Sequence, residues 1–185
     1  MPVALLLFVH RSAFSQILYR RREANMKRET RIMAAIDLSD YSEAIVRYST
    51  RLAAKLNAEL MLVNVINQRD LDMIHRAMIG YESFSYPDYL ADQEENRESK
   101  MRDLVAAVSR DEDAVNCRFL VRNGIPHHEL LDVVNTENVD ILVVGTKGRS
   151  NLTDVVVGSI ARKLYRRSSI PLLAIPAGFD KKDPE

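Results

Sequence analysis

Asp140-Ile-Leu-Val-Val-Gly145-Thr-Lys-Gly148, then nine residues, then Gly158-Ser159-Ile160, is the stretch on which the fold turns. Its apolar run reads as a buried strand of a parallel sheet, and Ser159 opens a helical stretch. Three of the chain's six glycines fall here, more than ordinary loop composition requires. Glycines between a strand and a helix let the backbone approach a ligand and aim its N–H groups at it. The helix start adds unpaired donors and the positive end of a dipole. Phosphate is the guest these features suit.

Upstream, Ile32-Met-Ala-Ala-Ile36 is a shorter run of the same buried kind, followed by Asp37-Leu-Ser-Asp-Tyr-Ser42, a turn rich in capping side chains. A helix is expected through about Asn57, with Ala44, Ile45, Tyr48, Leu52 and Leu56 on one face. Residues 59–66 read as the second strand, which completes a right-handed βαβ unit. The stretch 67–87 is expected to be irregular, and the Met-, Tyr- and Phe-rich segment 70–90 to serve as a mobile lid, with a partner surface or a loop packed on the core as the alternatives. Residues 89–110 read as a charged amphipathic helix and 117–121 as the third strand. Asn123-Gly-Ile-Pro126 turns into a helix carrying Leu130, Leu131, Val133 and Val134. Residues 139–144 are strand four and 160–167 a helix. Pro171-Leu-Leu-Ala-Ile-Pro176 is strand five, placed at a sheet edge by its prolines. The pattern predicts an α/β fold: a five-stranded parallel, doubly wound sheet with helices on both faces. The organisation expected is an N-terminal extension (1–30), one domain (31–177) and a C-terminal tail (178–185).

Formal net charge is zero, which gives no electrostatic support for general nucleic-acid or membrane-surface binding. Residues 1–30 carry six Lys/Arg against two acids, so the remainder is mildly acidic. The apolar segment from Val3 to Val9 is too short to span a bilayer, and its arginines follow it, whereas a secretory signal has them in front. The extension is read as dispensable, with Met26 as the functional start. The single cysteine, Cys117, forms no internal disulfide, which fits a reducing cytoplasm and a structural thiol.

Ligands of open α/β sheets bind beyond the carboxyl ends of the strands, where strand order reverses. With strands one and four flanking that point, Asp37 and Gly145 face each other. The aspartate suits a purine amino group or ribose hydroxyls, and the glycine loop suits phosphates, so the pair points to a nucleotide. A P-loop would need a lysine directly after its second glycine, and Lys147 precedes Gly148. A dinucleotide fingerprint would put glycines after strand one, where Asp37-Leu-Ser-Asp40 stands. Both are excluded.

The spacing Gly145-x2-Gly148-x9-Gly158-Ser159 resembles the nucleotide-binding members of the universal stress protein A family. The resemblance extends over residues 31–177, including Arg31 to Glu43, Leu62-Val-Asn-Val65, Gly124-Ile-Pro126 and Ser169 to Pro176. It implies a Rossmann-like domain of the adenine nucleotide alpha hydrolase-like kind. It also implies a cytoplasmic stress-response regulator that binds ATP, or AMP or ADP, with or without Mg2+. The same resemblance implies a homodimer through the last strand and a regulatory protein partner of unknown identity. By position, Asp37 with Leu38 and Ser39 would meet the nucleoside, and Val65 would offer backbone groups to the base. Gly145, Gly148, Gly158, Ser159 and Ile160 would line the phosphates, with Val144, Lys147 and Arg149 alongside. Ala161 departs from the hydroxyl residue that ATP-binding relatives often carry there. No catalytic residue and no metal ligand is assigned.

Each position also has a structural reading. Asp37 can cap the following helix, a task open to Ser39 or Asp40 as well. Gly145 and Gly148 can serve a tight turn, and Gly158 close packing. His127 and His128 are expected at the surface, and the basic run Arg162 to Arg167 on a solvated helix face. Two alternative functions stand beside nucleotide-dependent regulation: a slow ATPase, for which no base or metal set is evident, and a nucleotide-independent dimeric interaction protein.

Overall fold

The apolar runs become strands because both of their faces are covered. In β1 (Arg31–Ala35) and β2 (Glu59–Asn67), Ile32, Ala34, Leu60 and Leu62 point to one face. Met33, Met61 and Val63 point to the other, and all seven are fully buried. The computed structural model describes residues 29–109, 115–147, 158–177 and 179. It adds β3 (Cys117–Gly124), β4 (Ile141–Gly145) and β5 (Leu172–Ile175). Neighbouring strands are all parallel, in the order β3-β2-β1-β4-β5. This is the doubly wound five-stranded sheet that the sequence predicts, with the proline-flanked β5 at an edge.

Among the described residues five helices cover the sheet: α1 (Ser42–Leu56), α2 (Gln68–Met78), α3 (Tyr86–Val108), α4 (Pro126–Thr136) and α5 (Ser159–Arg167). Ile45, Val46 and Ala53 of α1 and Met101 and Val108 of α3 close one face. Leu130, Val133 and Val134 of α4 and Ala161 and Leu164 of α5 close the other. At the amino ends of the strands, Arg31 pairs with Glu59 and donates to the Glu137 carbonyl. The Arg31 N–H donates to Asp140 Oδ2 at 2.9 Å, tying β1 to the start of β4.

Three expectations are corrected. The first part of the stretch expected to be irregular is a helix, α2, which Asn67 caps by accepting from the Arg69 N–H at 3.2 Å, while residues 79–85 are irregular as expected. Leu71, which shares one helical face with Ile74 and Met78, is buried, and the helix lies against β2 and β3. Strand three runs on past Val121 to Gly124, paired along its whole length with β2. His127 is not at the surface: it is 6% exposed, in the first turn of α4 beside α5, with its ring 4.2 Å from that of the exposed His128. The extension through residue 28, Gly148, Arg149 and most of the tail lie outside the described residues. Among the described residues, no helix is long and apolar enough to cross a membrane.

Candidate functional site

β1 and β4 run side by side to Ala35 and Val144, and the chain then departs in opposite directions, to β2 on one side and β5 on the other. Such a reversal leaves a crevice beyond the two carboxyl ends. A cavity of about 340 Å³ occupies it, within the range of roughly 300–1,000 Å³ usual for small-molecule sites. Asp37, Val65, Val144 and Gly145 border the cavity from the strands. Lys147, Gly158, Ser159 and Ile160 border it from the β4 loop and α5.

Leu38 and Ser39 do not border it. Leu38 packs against the core beneath α1, in the left-handed conformation with φ 59°. That backbone is costly for a leucine, and strain of this kind clusters at functional turns. Ser39 turns a buried hydroxyl inward. Asp37 Oδ1 accepts from the Ser39 N–H at 3.1 Å and from Ser42 Oγ at 3.4 Å. Neither Ser39 nor Asp40 caps α1: the cap position is Tyr41, which makes no side-chain capping bond. Asp37 therefore ties the turn that presents it, while still reaching the cavity.

The phosphate side is built from α5. Its cap residue, Gly158, offers no side chain, and the first intrahelical bond runs from the Arg162 N–H to the Gly158 carbonyl at 2.9 Å. The N–H groups of Ser159, Ile160 and Ala161 precede that bond and have no intrahelical acceptor. All three residues border the cavity, where the dipole favours an anion. The Gly158 N–H donates to the Thr146 carbonyl at 2.8 Å and so pins the start of α5 to the end of β4.

Gly145 and Gly158, the two motif glycines among the described residues, differ in what the fold asks of them. A β-carbon on Gly145 would lie 2.8 Å from Ile45 Cδ1 and 2.9 Å from the Lys147 carbonyl oxygen, so packing alone forbids one. Gly158 has φ −48°, open to any residue, and a β-carbon there would meet the Thr146 carbonyl at an ordinary 3.4 Å.

Sequence reasoning missed the apolar wall of Ile36, Ile45, Pro126 and Leu130, because core-type residues carry no mark of which cavity they face. It missed Asn67 too, which borders the cavity while capping α2. Among the described residues, no three His, Cys, Asp or Glu side chains converge as metal ligands. Burial pushes the Cys117 thiol up, which disfavours the reactive thiolate. Burial likewise holds His127 below the usual histidine range, with the positive charges of His128, Lys163 and Arg167 acting the same way.

Fold and cavity together define a Rossmann-like α/β protein with a crevice at the switch between β1 and β4. The chain belongs to the universal stress protein family, whose model matches residues 29–176. Universal stress protein YxiE of Bacillus subtilis is 26% identical over 148 residues, covering 78% of this chain and 97% of that protein. Universal stress protein A homolog 1 of Coxiella burnetii is 28% identical over 144 residues, covering 78% and 94%. Among solved structures, UspA from Lactobacillus plantarum superposes with a TM-score of 0.61 at 21% identity, covering 80% of this chain and 98% of that one. A universal stress protein in complex with cAMP gives 0.55 at 19% identity, with 80% and 98% covered. One from Archaeoglobus fulgidus in complex with dAMP gives 0.53 at 13% identity, with the same coverage.

Proposed function

We propose that this chain is a cytoplasmic regulator of the stress response that binds an adenine nucleotide, ATP or its AMP or ADP forms, in the crevice between β1 and β4. Gly158 carries the reading. Its φ of −48° makes no demand for glycine, and at the cap of α5 it borders the cavity beside N–H groups that have no acceptor within the helix. Solved relatives of this fold that hold cAMP and dAMP support it.

In this reading the N–H groups of Ser159, Ile160 and Ala161 and the ammonium of Lys147 take the phosphates. Asp37 and the Val65 backbone take the nucleoside. Gly148 and Arg149 complete the phosphate loop, and Leu38 supports the turn from behind. Mg2+ enters, when it does, on the phosphates. The nucleotide state then sets which surface a regulatory protein partner meets, in a homodimer joined through β5, without nucleic acid or membrane. A slow ATPase would need a base or a metal set in addition.

The nucleotide-independent interaction protein draws on one observation, that packing alone accounts for Gly145. A single experiment separates the readings. The full chain is purified and denatured, and any released nucleotide is identified by mass spectrometry. The stripped protein is then titrated with ATP, ADP and AMP beside a Gly158→Val variant. Binding that disappears in a folded Gly158→Val protein supports the proposal. A well-folded protein that binds none of the three overturns it in favour of the interaction protein.

A further inference from the structure

Asn64 is a fully buried polar residue near the carboxyl end of β2. Its Nδ2 donates to the Ile36 carbonyl at 2.8 Å, and its Oδ1 accepts from the Arg97 guanidinium of α3 at 3.1 Å. These partners fix which way round the amide sits, because a carbonyl only accepts and a guanidinium only donates.

The acceptor that Asn64 takes belongs to the β1–β2 ladder. The register between the two strands ends at Ala35 and Val63, and the Ile36 N–H still donates to the Val63 carbonyl at 3.0 Å. In a parallel ladder the next bond would run from the Val65 N–H to the Ile36 carbonyl. The Asn64 side chain occupies that carbonyl instead. Strand alternation sets both peptide groups of Val65 on the same edge as the Val63 carbonyl, toward β1 and beyond its last pair. Val65 borders the cavity there.

We infer that Asn64 is a positioning residue of the site. It closes the end of β1 with its own amide, leaves the Val65 N–H and C=O to read a nucleobase edge, and holds the peptide that carries Asp37. An N–H and a C=O on one strand edge match a ring nitrogen beside an exocyclic amino group. Arg97 holds the far side of the amide, so α3 is linked to the nucleoside end of the crevice and not to its phosphate end. The inference rests on the nucleotide reading proposed above.

The test compares two probes on the full chain. ATP engages both ends of the site, and inorganic tripolyphosphate engages only the α5 end. Asn64→Asp keeps an acceptor for Arg97 and removes the donor to Ile36. Its ATP affinity is expected to fall about tenfold, with tripolyphosphate affinity close to wild type, both measured well below the variant's thermal midpoint. Arg97→Met, on the helix, is the second variant, with a smaller loss for ATP and none for tripolyphosphate. Unchanged ATP affinity in both variants overturns the inference, as does an equal loss for the two probes. A wild-type protein that binds tripolyphosphate as tightly as ATP also overturns it and leaves the phosphate half of the site standing. A wild-type protein that binds neither probe overturns the nucleotide reading and this inference with it.

Discussion

Ile45 stands where a side chain on Gly145 would have to go, its Cδ1 only 2.8 Å from the position of that missing β-carbon. The first helix thus presses on the end of β4 at the mouth of the crevice. Ile45 can swing aside, but the Lys147 carbonyl on the other side, 2.9 Å away, is backbone. Gly145→Ala is expected to lose about 1–3 kcal/mol in urea unfolding. Gly158→Ala, by the same measurement, should stay within about 0.5 kcal/mol of wild type. A reversal of that order would show that the two glycines have exchanged roles.

His127 gives the fold a dependence on pH. Its folded pKa lies below the ordinary histidine value of about 6.5, chiefly through burial. As pH falls through 6.5, the unfolded chain takes up a proton that the folded chain refuses. Stability from this group is therefore complete above that range and declines as pH drops toward the depressed folded value. Urea unfolding at pH 7.5, 6.5 and 5.5 should show the decline, and His127→Leu should flatten it. An unchanged slope in the variant would assign the effect to another group.

The open side of β5 offers a specific handle on assembly. The Pro171 and Ile175 carbonyls accept from Leu142 and Thr146 of the β4 side. Alternation therefore turns the Ala174 N–H outward, away from the ladder. Ala174→Pro removes that donor without touching a β4–β5 bond. If β5 joins the proposed homodimer, sedimentation should find wild type as a dimer and this variant as a folded monomer. Equal sedimentation of the two would move the interface elsewhere.

Met101 joins α3 to the core and is fully buried against the α1 face. Met101→Ala should cost about 2–5 kcal/mol, measured by urea unfolding. A loss under about 0.5 kcal/mol would mean that α3 is not held by this contact.

Much of the architecture was legible because parallel strands buried on both faces leave unbroken apolar runs, as at Ile32–Ile36 and Ile141–Val144. The glycine spacing led to Gly158 and Ser159 for a related reason: a helix start that keeps its donors free needs a cap without a side chain. Helix α2 went unread although its signals were present, in the Asn67 cap and the Leu71, Ile74 and Met78 spacing. Its polar residues and the neighbouring aromatics masked so narrow a stripe. The burial of His127 had no local sign, since it depends on how α4 lies against α5. Nor did the Asn64–Arg97 pair, whose members stand 33 positions apart in sequence and meet only in the folded chain.

The sheet order has a consequence for how the chain matures during synthesis. β1 is the central strand, yet one of its two neighbours, β4, begins some 109 positions later, the separation of the Arg31–Asp140 bond. At typical elongation rates that interval lasts on the order of ten seconds. Over that time the nascent β1 has an edge of backbone N–H and C=O groups with no native partner, and β2 and β3 can add only to its other side. The crevice between β1 and β4 is among the last features to form, so no ligand can bind there to assist the early steps. Chaperone dependence should therefore track the exposed edge of β1, and the proposed nucleotide ligand should rescue only chains already long enough to contain β4.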